Sequence, residues 1–247
     1  MSRTIGFGVF NYNCNDNAVK LAEEFRQLSP TYLIDSGSEF ESSLQKNQFD
    51  KLLSNVFYCG MINEIIREMK DQCEVICFVA SDVKVKEPKH LLQALKGAFE
   101  DPKVGIYAPS VNKEGSNHPQ MRQKGTGGLR KAVFVDGFCF AARTSILKNL
   151  YPIDVELNRI GWGIDVYLSF LAIKTKMITV VDDGVEVEHY VGPNNHPNPQ
   201  EFIHAAKTQR ANWFNSLEKG AQRFRSVTSI ALLKNQAGAT FVNSLPW

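Results

Sequence analysis

A chain of 247 residues has room for one large domain or a domain with an appendage, and 43% hydrophobic and 22% charged residues are the proportions of a soluble globular protein. A net charge of +2 is too small to imply a polyanionic partner by itself, and no apolar run approaches the roughly 20 residues that a membrane helix needs, so any membrane contact is expected to be peripheral. The cysteines at 14, 59, 73, 77 and 139 are odd in number and follow no leader-like segment, which predicts reduced, mostly buried thiols and a cytoplasmic location. Cys73 and Cys77 have no second ligand pair to match them, which argues against a zinc site.

Ile5 to Phe10 reads as a buried opening strand, followed by a loop from Asn11 to Asn17 rich in helix-capping residues. Ala18 to Leu28 has helical spacing, with Leu21, Phe25 and Leu28 on one face and Pro30 ending it. Thr31 to Ile34 is a second strand, turning at Asp35-Ser36-Gly37-Ser38. Phe49 to Val56 has slight apolar character, and a helix is predicted over Met61 to Met69. Val75 to Ala80 is a continuous apolar run, the mark of a strand covered on both faces. Pro88 to Phe99 reads as a helix and Val104 to Ala108 as a strand. This alternation predicts a mainly parallel sheet between helices. Such sheets bind ligands at the carboxyl ends of their strands, where Asp35 and Asp82 stand.

Residues 111–131 interrupt the rhythm with Lys113, Arg122, Lys124, Arg130 and Lys131 against the single acid Glu114, and read as a long, flexible basic loop. Val133 to Ala142 is expected to be one strand, Ser145 to Leu150 a short helix and Asp165 to Ile173 a helix. Met177 to Val181 and Val185 to Val187 are expected as two strands joined by a hairpin turn at Asp182-Asp183-Gly184. Pro193, Pro197 and Pro199 mark a linker, Glu201 to Leu217 is an amphipathic helix, and an apolar run from Ile230 to Leu233 lies in the tail.

Several pieces of the chain resemble, in order, an inverting glycosyltransferase of the GT-A fold, of the family 2-like group. The pieces are the opening strand with Tyr12-Asn13, the strand ending Asp35-Ser36-Gly37-Ser38, and the segment Asn55 to Asn63. Phe78 to Val83 resembles the strand leading to the metal motif. Gly137 to Arg143 and Gly161-Trp162-Gly163-Ile164-Asp165-Val166-Tyr167-Leu168 resemble the acceptor-side motifs. The likeness covers about residues 3–191. It departs from the family at the metal motif, here Ala80-Ser81-Asp82 without its first aspartate, and at the Glu-Asp pair, here Ile164-Asp165 without its glutamate.

The resemblance implies an α/β GT-A domain over 1–195 with a C-terminal helical extension over 196–247. It implies a nucleotide-sugar donor, with a uridine diphosphate sugar favoured, a hexosyl or pentosyl group to transfer, and Mn²⁺ or Mg²⁺ as cofactor. Phe10, Asn11, Tyr12, Asp35, Asn63, Ser81, Asp82 and Gly137 are the expected donor contacts. A leaving diphosphate builds negative charge, which a divalent ion on oxygen ligands stabilises. Asp82 is the expected carboxylate ligand, and His189 an added nitrogen ligand suited to Mn²⁺. The attacking hydroxyl must lose a proton, and Asp165 is the expected base. Trp162 and Gly163 are expected to wall the acceptor site, with Arg122 and Lys124 of the basic loop beside it and Lys207, Arg210, Arg223 and Arg225 adding charge behind.

Plainer roles compete for each residue. Asp35 could serve only its turn, Asp82 a cap, Asp165 the dipole of its helix, His189 a strand end and Trp162 the core. His118, His196 and His204 have no spacing that joins them and read as solvated; Arg143 reads as structural. The acceptor classes in play are an anionic glycan, a glycolipid and DNA bearing hydroxylated bases, the last because Trp213, Phe214 and Phe224 interleave with basic groups. A non-catalytic nucleotide-sugar binder and a nucleic-acid binder are the alternatives to an enzyme.

Overall fold

A computed structural model describes residues 4–112, 115–116, 118–189 and 199–233, the last with side chains through 226 from residue 200 onward. Lys113, Glu114, His196, the prolines 193 and 197 and the expected boundary at 195/196 lie outside the described residues.

The first half holds β1 (Ile5–Asn11), α1 (Asn15–Arg26), β2 (Thr31–Ser36), α2 (Ser43–Lys46), β3 (Lys51–Leu53), α3 (Phe57–Met69), β4 (Val75–Ala80), β5 (Val83–Lys84), α4 (Pro88–Glu100) and β6 (Val104–Val111), the expected alternation with the short α2, β3 and β5 added. The second half holds β7 (Leu129–Ala132), β8 (Cys139–Arg143), α5 (Thr144–Leu150), α6 (Ile164–Lys174), β9 (Ile178–His189), α7 (Pro199–Ser216) and α8 (Lys219–Leu233). The main path of the sheet runs β3-β2-β1-β4-β8-β6-β9-β5, with β7 also paired to β9. Strands β1 to β4, β6 and β9 point one way, and β5, β7 and β8 run against them.

Every residue of β1 and β6 is buried, because helices cover both faces of the sheet. Phe7 stacks on Phe25 of α1 at 4.0 Å, and Phe78 of β4 on Phe140 of β8 at 4.9 Å. The helices beyond the expected boundary belong to the same hydrophobic cluster: Trp213, Phe214 and Phe224 are buried within it. Trp213 meets Tyr167 of α6 at 5.3 Å, and Phe224 meets Phe170 at 5.9 Å.

The sequence reading is corrected at three places. Of the segment expected as one strand over 133–142, only the part from Cys139 on is strand, in β8; 133–138 are irregular, because the chain turns after Asp136 on its way from β7 to β8. Asp136 accepts hydrogen bonds from the Gly137 N–H (2.9 Å) and the Ser116 hydroxyl (2.7 Å), which fix the turn, while buried Val133 to Val135 hide it from an apolar pattern. The expected hairpin at Asp182-Asp183-Gly184 is a bulge within the continuous strand β9: Pro109 pairs with Asp182, but the next residue, Ser110, pairs with Glu186. The bulge turns the Asp183 side chain inward, fully buried, to hold the loop that the sequence suggested was flexible. Asp183 receives Arg130 Nε (3.0 Å), the Thr126 hydroxyl (2.8 Å) and the Lys124 N–H (3.2 Å).

Arg143 is structural as read, its guanidinium donating to the carbonyls of Val104, Phe99 and Asp101. The five cysteines are free thiols, four of them buried. No helix among the described residues is long and apolar enough to cross a membrane.

Candidate active site

A cleft of about 590 Å³ opens where the carboxyl ends of β1 and β4, the Asp136 turn, the start of α6 and the helices α7 and α8 meet. That volume lies within the range of small-ligand sites. Phe10, Asp82, Gly137, Trp162, Gly163, Asp165 and His189, all expected at the site, line it together.

Asp82 and His189 come from distant sequence but adjoin because β5 pairs antiparallel with the end of β9, Val83 opposite His189. His189 Nε2 lies 3.4 Å from Asp82 Oδ2. Its Nδ1 is 2.6 Å from the Gly115 carbonyl, which can only accept, so Nδ1 carries the proton. The ring stacks on Phe138 at 4.2 Å. Burial works to lower the imidazole pKa, but the Asp82 carboxylate and the Gly115 carbonyl outweigh it, and the net direction is upward. A histidine oriented by a carbonyl on one nitrogen, with the other beside a half-exposed carboxylate, is an oxygen-plus-nitrogen donor pair that fits a divalent ion.

Asp165 sits in the first turn of α6. Its carboxyl is pushed up to about 7, first by burial and then by the Asp136 charge; backbone N–H groups, including that of Val166 (2.9 Å), and the Arg210 cation oppose the shift only in part. The approach to α6 is built by glycines on either side of Trp162. Gly161 and Gly163 both hold φ of +92°, a left-handed conformation that costs most residues. A Cβ on Gly163 would also lie 2.6 Å from the Phe214 ring, and one on Gly161 2.3 Å from the Tyr58 ring. Buried Asn158 ties this loop, accepting from the Gly161 N–H (3.0 Å) and donating to the Trp162 carbonyl (3.2 Å). Below it, the Tyr58 hydroxyl donates to the Gly137 carbonyl at 2.9 Å.

Some expected residues stand elsewhere. Asn63 does not line the cleft and latches a loop: its amide donates to the Ile153 carbonyl (2.9 Å) and accepts from the Ile153 N–H (2.8 Å). Asp35 is 1% exposed and pins its turn, accepting from the Gly37 and Ser38 N–H groups (2.9 Å each), the Asn11 amide (2.8 Å) and the Ser38 hydroxyl. Its carboxylate and the Asn11 amide are therefore bonded to the protein and do not line the cleft. Tyr12 is 51% exposed at the rim of the sheet, and Ser81 is buried with its N–H bonded to the Phe10 carbonyl. Arg122 is turned back onto the Ser116 carbonyl (3.2 Å), and Lys124 is exposed; neither lines the cleft.

The structure also adds residues. His118, read from sequence as solvated, lines the cleft edge-on to Phe134. His118, Asp136 and Asp165 each offer a ligand atom within 4.8 Å of the others. Arg210, Phe214 and Arg225 reach the cleft from α7 and α8. The loop interrupted by glycines could have flagged Asp136, which directly precedes Gly137; nothing local marks His118. His204 is exposed, as read.

No protein-family model and no curated protein sequence matches the chain. Among solved structures, GalNAc-T7 with UDP, GalNAc and Mn²⁺ aligns at a TM-score of 0.59 and 13% identity, over 80% of this chain and 45% of that one. Glucosyl-3-phosphoglycerate synthase from Mycobacterium tuberculosis, in complex with Mn²⁺, UDP-glucose and phosphoglyceric acid, aligns at 0.59 and 12%, over 86% and 79%. A further mycobacterial protein aligns at 0.54 and 13%, over 78% and 69%. This chain thus spans less than half of the first of these and most of the second. With its strand order, its bulged β9 and a cleft at the strand ends, the chain has the GT-A fold of glycosyltransferases.

Proposed function

We propose that the protein is a glycosyltransferase that moves a sugar from a nucleoside-diphosphate sugar, a UDP-sugar first, to an acceptor hydroxyl with inversion. The carrying observation is that Asp82 with His189 and Asp165 with its raised pKa line one cleft of about 590 Å³. Had they lain in separate cavities, no single sugar could have stood between them.

Asp82 and His189 would hold the divalent ion, Mn²⁺ or Mg²⁺, and when bound it would neutralise the charge of the departing diphosphate. The UDP and manganese carried by the two named neighbours support that choice of donor and metal. The acceptor oxygen attacks the anomeric carbon, the bond to the diphosphate oxygen breaks with its electron pair leaving on the UDP, and the hydroxyl proton passes to Asp165 Oδ. A base near neutrality suits this transfer, since it is free at working pH yet basic enough to accept. Asp136 holds that basicity by its charge, Gly163 and Asn158 position the carboxylate, and Trp162 walls the acceptor side. Donor contacts fall to Phe10, Gly137 and the backbone around Ser81, with Asp35 and Asn11 shaping the strand ends. Residues 1–195 with α7 and α8 then act as one catalytic body, whose last helices complete the cleft.

A second reading has one observation behind it: His118, Asp136 and Asp165 could themselves hold the metal, with Asp165 a ligand instead of a base.

A thermal-shift screen of nucleotide sugars tests the proposal. At a ligand concentration near one hundred times its Kd, binding stabilises by about 2.7 kcal/mol, or roughly 5–10 °C for a chain of this size. The shift should require Mn²⁺ or Mg²⁺. A panel of UDP-, GDP-, ADP- and dTDP-sugars that leaves the melting point unmoved with either ion ends the proposal.

A further inference from the structure

On the Asp165 side of the cleft, α7 and α8 present two cations, Arg210 and Arg225. Arg210 lies along Gly163, its Cγ 3.1 Å from where a Cβ there would stand. Its Nε is buried and has no hydrogen-bond partner, and it forms no ion pair among the described residues. Arg225 is laid over the Phe214 ring, 5.1 Å from its centroid, which fixes the plane of the guanidinium. Burial and the like charge of Arg210 both act against the Arg225 cation. A buried guanidinium N–H with no acceptor, as at Arg210, is costly unless something in the cleft supplies one. Both stand on the α7 and α8 wall of the cleft, against Phe214 and Gly163, beside the expected base.

We propose that Arg210 and Arg225 form a subsite for a phosphate group carried by the acceptor, so that the molecule glycosylated is a hydroxylated phosphate compound. The inference rests on the glycosyl-transfer reading of the cleft. A phosphate brings close to two negative charges and acceptor oxygens that match planar guanidinium forks. The Asp82–His189 end is the other candidate for an anion. However, Arg210 packs along Gly163, two residues before Asp165, and Arg225 lies over the Phe214 ring that meets the same glycine. The pair therefore belongs to the half of the cleft where the attacking hydroxyl would be held. A phosphate fixed there would anchor the acceptor with its hydroxyl turned to Asp165.

The test is calorimetric titration of the full chain with inorganic phosphate, glycerol 3-phosphate and glycerol, and separately with UDP plus Mn²⁺. Arg210→Gln and Arg225→Gln should weaken phosphate and glycerol 3-phosphate binding roughly ten- to a hundredfold each, the loss expected of one charge-assisted contact. Arg225→Lys should restore part of the loss, and Lys207→Gln, on the exposed face of α7, should change nothing. Circular dichroism melts confirm that each variant is folded. Glycerol should not bind. Competition of a short single-stranded oligonucleotide against glycerol 3-phosphate identifies the source: displacement by the oligonucleotide assigns a backbone phosphate, and its failure to compete assigns a small phosphorylated acceptor. The subsite is overturned if phosphate does not bind, if it binds equally to the arginine variants and to Lys207→Gln, or if those variants lose UDP affinity instead. UDP failing to bind while the phosphate pattern holds would remove the donor reading and leave the anion subsite standing.

Discussion

Replacing Asp165 with asparagine separates chemistry from stability more cleanly than any other change in this molecule. The substitution keeps the shape and the acceptor oxygen that takes the Val166 N–H, and removes only the charge. Its carboxyl is raised from 3.8 to about 7 by burial and by Asp136, a preference for the neutral form worth about 4 kcal/mol at 1.36 kcal/mol per decade. The side chain keeps some contact with solvent, so we expect ~1–3 kcal/mol to be expressed. The sign follows from linkage. The folded state holds this proton more tightly than the unfolded chain does, so wild-type stability falls as pH climbs from about 4 to about 7, and flattens above. The asparagine variant lacks that slope, matches the wild type near pH 4 and exceeds it near pH 8.

Transfer should fall by about 10²- to 10⁴-fold in the variant, while binding of UDP with Mn²⁺ is unchanged. In the wild type, kcat/KM should rise roughly tenfold per pH unit up to about 7 and then level off. Urea melts across the pH range, a coupled assay of UDP release and titration of UDP read the three quantities. A variant that transfers sugar at the wild-type rate would refute the role of the base; one without a stability gain at high pH would refute the account of the raised pKa.

The other expectations are more compact. His189→Ala should weaken Mn²⁺-dependent UDP binding at least tenfold while His118→Ala leaves it alone; the reverse outcome moves the metal to the cluster of His118, Asp136 and Asp165. Gly163→Ala forces a side chain into a left-handed φ and against Phe214, and should cost ~2–4 kcal/mol in chemical denaturation with a larger loss in kcat than in donor affinity. Asp183→Ala strips the partner from Arg130, whose side chain is 16% exposed, and should cost about 3 kcal/mol, roughly 6–12 °C in Tm. Nuclear magnetic resonance of the first-formed product should show an anomeric configuration opposite to that of the donor; retention would remove the in-line displacement.

Sequence and tertiary structure contributed different things, and the division follows the range of the forces involved. Periodicity and breakers act over a turn or a strand, so β1, β4, α4 and α6 were legible, as was a mainly parallel sheet between helices; the GT-A fold was implied by the resemblance of the motifs. Gly161, Gly163 and Asp165 could be found because one short segment both bends the chain and starts the helix that carries the carboxylate. The bonds of Asn63 to Ile153, ninety positions away, and those of the Asp35 carboxylate to its own turn and Asn11 could not be read from local sequence. The basic loop looked like an acceptor grip because nothing local reveals that a bulge in β9 buries Asp183 against Arg130.

His118, Asp136, Arg210 and Arg225 are separate in the chain and share no motif. They meet because β8 inserts between β4 and β6, and because α7 and α8 fold back onto α6 through Trp213, Phe214 and Phe224. The raised pKa of Asp165 has the same origin: a carboxylate's affinity for its proton depends on how dry it is and which charges surround it. Those are properties of packed neighbours, and no stretch of sequence contains them until the sheet and the last helices have closed around the cleft.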